Sequence, residues 1–168
     1  MTWSEQSLAR VAAELRARAL SLGAFNLVPV VLAPADAASF GSRLAAQLPG
    51  ESFDFDAEAI AIMEENGWDT YVRLERAGAR EPIRQALRLA AERAAARARR
   101  DAPLVVHGIN LPVTYEFSEL HNILYRASSR GLVALCIGGS VRGDRVKLHH
   151  RLVLAGGGLV QPLVLSEE

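Results

Sequence analysis

The stretch that decides the fold is LVVHGINLPVTYEFSELHNILYRASSRGLVALCIGG, residues 104–139. Leu104 to Ile109 is an apolar run of strand length, and Gly108 lies near its end. An irregular loop follows, containing Pro112 and the aromatics Tyr115 and Phe117. Ser118 to Ser128 then carries Leu120, Ile123, Leu124 and Ala127 at helical spacing, with Ser118 placed to cap the helix. Gly131 ends that helix. Leu132 to Ile137 is a second apolar run, closed by Gly138 and Gly139. Strand, helix, strand, with apolar strands that do not alternate polar and nonpolar, is the pattern of a parallel sheet covered on both faces.

The same alternation extends upstream. Ser4 to Leu22 reads as a helix with Leu8, Val11, Ala12, Leu15 and Leu22 inward. Leu27 to Leu32 reads as a buried strand, in which Pro29 is awkward because it has no N–H to give a ladder. Pro34-Ala35-Asp36 opens a helix to about Leu48, and Ser52 to Phe55 is a short strand. Asp56 to Asn66 and Trp68 to Ala77 are helical segments separated by Gly67. Glu81-Pro82 starts a long helix to about Arg100, whose inner stripe is Ile83, Leu87, Ala90, Ala91, Ala94 and Ala98. Downstream, Val146 to Ala155 and Leu159 to Leu165 read as a hairpin around Gly156-Gly157-Gly158 or as an extension of the sheet. The expectation is a single α/β domain over residues 1–168. It is a three-layer sandwich with a mostly parallel sheet of about five strands in the order 5-1-4-3-2, resembling a degenerate P-loop NTPase core.

Composition narrows function mainly by exclusion. The chain has 168 residues, 50% hydrophobic and 23% charged, enough for one domain with its own core. Lys+Arg and Asp+Glu are both 19, so the total charge does not mark a nucleic-acid binder or an acidic tail protein. One cysteine, Cys136, leaves no internal disulfide and no cysteine zinc site, and it reads as a buried small residue. No apolar run approaches membrane-spanning length, and the first residues lack a basic-then-apolar leader, so a cytoplasmic location is expected.

The catalytic motifs that the strand order invites are missing. Against G-x-x-x-x-G-K-[ST], Asp36 stands at the first glycine and Ser42 at the lysine. His107 and Gly108 stand where a Mg²⁺-binding acid would follow the third strand. His149-His150, with His107 and His121, does not make a metal site, because adjacent strand residues face opposite ways. Ser39, Ser42, Ser118 and Ser140 lie in no nucleophile elbow. No cofactor is expected.

Charge is segregated instead. Residues 51–69 carry seven acids (Glu51, Asp54, Asp56, Glu58, Glu64, Glu65, Asp69) and no basic residue. Residues 73–100 carry nine arginines against three glutamates. Arg76, Arg80, Arg84 and Arg88 share a face if the helix runs unbroken, though Pro82 argues against that. Three readings compete: a solvated face with internal pairs such as Glu81–Arg84 and Glu92–Arg88, a docking surface for an acidic protein, or a contact to nucleic-acid phosphates. Asn110, Tyr115 and Glu116 are further candidate contact residues. A separate reading places a ligand or enzymatic site where His107, Asn110, Glu116 and His121 converge at the carboxyl end of the sheet. Its bland counterpart is that these residues shape a loop and hydrogen-bond locally.

The run FDFDAEAIAIMEENGWDTYVRLE, the long helix, LVVHGINLPVTYEFSELHNIL and LVALCIGGSVRGDRVKL together resemble the BrxB family of bacteriophage-exclusion (BREX) defence systems. The likeness covers roughly residues 27–148. It departs from the family in the Ile109–Phe117 loop and at Gly138-Gly139, where the family has a Pro-Gly turn. The resemblance implies a small non-catalytic adaptor or scaffold subunit. Its expected partners are larger defence proteins: an alkaline-phosphatase-superfamily protein, a methyltransferase or a large ATPase.

Overall fold

The computed structural model describes residues 3–142, 145–148, 152–155 and 163–165. Its elements in chain order are α1 (Glu5–Ala19), β1 (Leu27–Leu32), a 3-10 turn (Pro34–Asp36), α2 (Ala37–Gln47), β2 (Glu51–Asp54), α3 (Phe55–Glu65), α4 (Trp68–Arg76), α5 (Glu81–Ala96), β3 (Leu104–His107), α6 (Asn110–Thr114), α7 (Glu119–Ala127), β4 (Val133–Arg142), β5 (Arg145–Leu148), β6 (Leu152–Ala155) and β7 (Leu163–Val164).

The sheet runs β2-β3-β4-β1-β7, with every neighbouring pair parallel. This is the expected order, with β7 as the fifth strand beside β1. Pleating splits the core in two. Leu27, Val31, Val106, Val133, Leu135 and Ile137 face the layer of α3, α5 and α7. Val28, Val30, Leu32, Val105, Ala134 and Cys136 face α1 and α2. The result is a three-layer α/β sandwich whose central strands are buried on both sides.

Local chemistry explains the element ends. The Ser4 hydroxyl accepts from Ser7 N–H and caps α1, which stops at Ala19, earlier than the apolar spacing through Leu22 suggests. Asp54 closes β2, and its carboxylate accepts the Ala57 N–H at 3.1 Å, so Phe55 begins α3 instead of ending the strand. Pro29 fits because of which way it faces. The Leu165 N–H donates to the Val31 carbonyl, so Val31 and Pro29 both turn toward β7. Among the described residues that ladder pairs Val30 and Val31, so the missing N–H of Pro29 falls outside it.

Three expectations need correction. The segment after β3 is a short helix, α6, not an irregular loop. β4 continues past Ile137 to Arg142 and turns back into β5. Val146 to Ala155 is not one strand: it is β5 and β6, paired antiparallel. Gly156-Gly157-Gly158 and His149-His150 lie outside the described residues.

Candidate functional site

Three neighbourhoods at the carboxyl end of the sheet hold the chemistry-bearing side chains.

The first is the cleft where an α/β fold normally takes its ligand. It encloses about 220 Å³ between the turn after β1 (Pro34, Ala35, Ala38), the β3–α6 junction (Gly108, Asn110) and Gly138 of β4. Among the described residues, no Lys or Arg lines it. Pro34 lies so close to Gly138 that a Cβ on Gly138 would overlap it. Residue 41, the second glycine position of the phosphate-loop pattern, sits inside α2, packed on the His107 side chain. The helix has therefore begun where a phosphate loop would still be arching.

The second neighbourhood surrounds α6. The Asp56 carboxylate reaches across from α3 and accepts the Asn110 N–H (2.9 Å), the Leu111 N–H (2.9 Å) and the Asn110 side-chain amide (3.0 Å). It supplies the N-terminal cap that Ile109 lacks. Burial, outweighing these hydrogen bonds, moves the Asp56 carboxyl above its usual range. At the other end, the Phe117 N–H bonds the Pro112 carbonyl and the Glu116 N–H bonds the Val113 carbonyl. That pattern is a Schellman ending, and Glu116 takes the left-handed position at φ 52°, a place usually held by glycine.

The third neighbourhood is a corner built on Tyr115. The partly buried Tyr115 hydroxyl donates to Glu75 of α4 at 2.6 Å, and burial with this bond pushes its pKa up to about 12. Arg84 of α5 lies over the same residue, with Nε 3.4 Å from the Tyr115 carbonyl. Arg80 is close enough to act on the phenol electrostatically. Arg76 ends α4 beside Glu75. Arg76 and Arg80 are exposed and make no ion pair among the described residues. Arg88 differs: it forms a two-pronged pair with Glu119 of α7, at 3.0 and 2.7 Å, so its guanidinium joins α5 to α7. Its expected partner, Glu92, contributes only a minor field to it. The four arginines do not form one helical face, because α4 ends at Arg76 and Arg80 precedes α5.

The proposed convergence of His107, Asn110, Glu116 and His121 does not assemble. His107 lies on the α2 side of the sheet, packed against Gly41. His121 rides on α7, on the opposite face, stacked on Tyr125 with centroids 6.1 Å apart. Its Nε2 is buried with no hydrogen-bond partner among the described residues, and burial holds its pKa below the usual value. Asn110 and Glu116 are occupied in shaping the ends of α6.

The sequence reading missed Ser52. Its hydroxyl is 3.0 Å from His107 Nε2, across the β2–β3 ladder. Asp54, two residues on, is the register partner of His107. Burial lowers the His107 pKa, and the Asp54 charge opposes that shift. The signal was the alternation Ser52-Phe53-Asp54, which sends Ser52 and Asp54 to one face, but its link to His107 needs the strand register.

Among the described residues there is no cluster of three or more His, Cys, Asp or Glu arranged to hold a metal, and no helix long and apolar enough to cross a membrane. No protein-family model, no curated protein and no solved structure matches this chain.

Proposed function

We propose that this domain works by protein–protein contact, as an adaptor in an anti-phage complex of the BREX kind. The observation that carries the reading is the Tyr115 corner. Arg80 acts on the Tyr115 phenol, Arg76 ends α4 next to Glu75, and both are exposed without an ion-pair partner among the described residues, while Arg88, Arg93 and Arg99 are matched by Glu119, Glu58 and Glu51. Unmatched, exposed guanidiniums at the junction of α4 and α5 suit an acidic surface or segment, because Arg presents a planar fork to carboxylates. The alanine- and proline-lined cleft adds support, since among the described residues its lining offers no cation to a phosphate. The likeness of residues 27–148 to BrxB gives the class of partner: a phosphatase-superfamily, methyltransferase or ATPase defence component.

The test is affinity capture of the tagged chain from its host, followed by reconstitution with the protein recovered. Stoichiometric recovery of one such component, lost on Arg76→Glu with Arg80→Glu, supports the adaptor. Recovery that the double charge reversal leaves unchanged refutes the surface. Retention of nucleic acid alone, falling steeply with salt, replaces the reading with a nucleic-acid contact.

A further inference from the structure

We propose that Ser52, His107 and Asp54 form a serine nucleophile with its general base, able to accept an acyl group from an activated carboxylic ester at the open edge of the sheet. The site lies beyond the adaptor reading and does not depend on it.

Geometry comes first. A serine is a weak nucleophile unless a base takes its proton as it attacks. The Ser52 hydroxyl sits at hydrogen-bond distance, 3.0 Å, from His107 Nε2. With the imidazole proton on Nδ1, Nε2 is the acceptor and the Ser52 O–H donates to it. Ser52 is exposed, whereas His107 is only 6% exposed. Among the described residues β2 is the outermost strand of the sheet, and no further strand covers Ser52. An ester can reach the hydroxyl from solvent while the base stays enclosed.

The enclosure is specific. α2 offers Gly41 to the imidazole, and any larger residue there would overlap His107. β4 offers Cys136, whose thiol burial raises to about 12, leaving it neutral. The charged group facing the ring is Asp54 of β2, directly opposite in the ladder. Room for its carboxylate comes from Gly108: at φ 66°, a Cβ there would collide with Asp54 Oδ1. Asp54 is therefore held where its negative charge favours the imidazolium formed when His107 accepts a proton. Burial meanwhile keeps His107 neutral, and so able to act as a base, at pH 7.

The reaction balances without another reagent. Ser52 Oγ bonds to the ester carbonyl carbon as its proton passes to Nε2. The carbon–oxygen bond to the leaving group breaks, and Nε2 returns the proton to that oxygen. Water then repeats the cycle on acyl-Ser52: its oxygen bonds to the carbonyl carbon, Ser52 Oγ leaves, and the proton travels through Nε2 back to Oγ. The net change is ester hydrolysis.

The experiment mixes the full chain with p-nitrophenyl acetate, follows nitrophenolate release, and maps the acetyl group by mass spectrometry. The expected result is acylation of Ser52 that saturates near one acetyl per chain. Ser52→Ala, an exposed change that leaves packing intact, abolishes it. His107→Gln slows it on the order of 100-fold or more, the usual weight of a general base. Asp54→Asn, which keeps the α3 cap, slows it less. The acylation rate falls as pH drops through a value below 6.5, the direction in which burial moves His107. If His107→Gln does not fold, the pH profile and Ser52→Ala still decide. Absence of acetyl-Ser52, labelling unchanged by Ser52→Ala, or a rate that only tracks hydroxide concentration overturns the proposal.

Discussion

Removing the Asp56 carboxylate should loosen the segment that carries Asn110, Tyr115 and Glu116. Asp56→Ala deletes three hydrogen bonds at once: two to the first N–H groups of α6 and one to the Asn110 amide, all between 2.9 and 3.0 Å. A lost N-cap typically costs about 1 kcal/mol, and hydrogen bonds to a charged acceptor are worth about 1.5–3 kcal/mol each. Two offsets apply. Water reaches this half-buried place and replaces part of the loss, and the alanine no longer has to bury a carboxylate, the main cause of its raised pKa. The expected net loss is about 2 kcal/mol. Urea unfolding measures it as a lower midpoint at constant slope. Asn110→Ala, which removes only the amide bond, should cost about 0.5–1 kcal/mol. In the double variant the losses should not add, since both changes remove the same bond. Hydrogen exchange should show Asn110 and Leu111 amides losing protection ahead of the rest of the chain. A loss under about 0.5 kcal/mol, or unchanged protection of those two amides, refutes this account of how α6 is held.

Other consequences concern single positions. Glu116→Gly should stabilise the domain by about 1 kcal/mol or slightly less in thermal unfolding, because glycine accepts the left-handed position without the Cβ penalty; destabilisation would mean the glutamate side chain matters there. Gly41→Ala should cost about 2 kcal/mol by overlap with His107, although helix propensity alone favours alanine by about 1 kcal/mol; a neutral or stabilising result in urea would contradict the close packing of α2 on β3. Asn26→Ala should cost about 3 kcal/mol, since it removes three side-chain bonds, to Gly23 N–H, Gly23 C=O and Ser128 C=O, in a buried turn. His107 and His121 both have folded pKa values below the unfolded 6.5, so the unfolded chain binds protons more readily than the fold. Their contribution to stability is complete above pH 6.5 and declines as pH falls through the folded values. Urea midpoints from pH 8 to pH 5 should fall on the acid side, and less so for His121→Phe, which keeps the stack on Tyr125 and removes the unpartnered Nε2.

The layers were legible because period and punctuation agreed with the final contacts. The stripe Ile83, Leu87, Ala90, Ala91 and Ala94 is the buried face of α5, and the apolar runs of β1, β3 and β4 are strands enclosed on both sides. What stayed hidden depended on partners far away in sequence. α6 exists because Asp56 reaches Asn110 from another helix, a bond that local propensity does not encode. Arg88 looked available in the charge pattern, but its neighbour in space is Glu119 on α7, not Glu92 on its own helix. The run Val146 to Ala155 carries no glycine or proline to mark where β5 gives way to β6, so hydrophobicity alone joined them. Ser52 went unremarked because its meaning comes from a register that sets it within reach of His107.

The central claim is that the α4–α5 junction carrying Arg76 and Arg80, with Arg84 over the Tyr115 carbonyl, is a protein-binding surface. The most direct measurement is the affinity of the purified chain for the protein captured with it from its host, compared with the Arg76→Glu and Arg80→Glu double variant at two salt concentrations. The account predicts a stoichiometric complex with the native chain. It also predicts a loss of affinity of at least tenfold on charge reversal, about 1.4 kcal/mol or more, with an unchanged thermal midpoint. Equal affinity for both proteins, or no complex even at low salt, would contradict it.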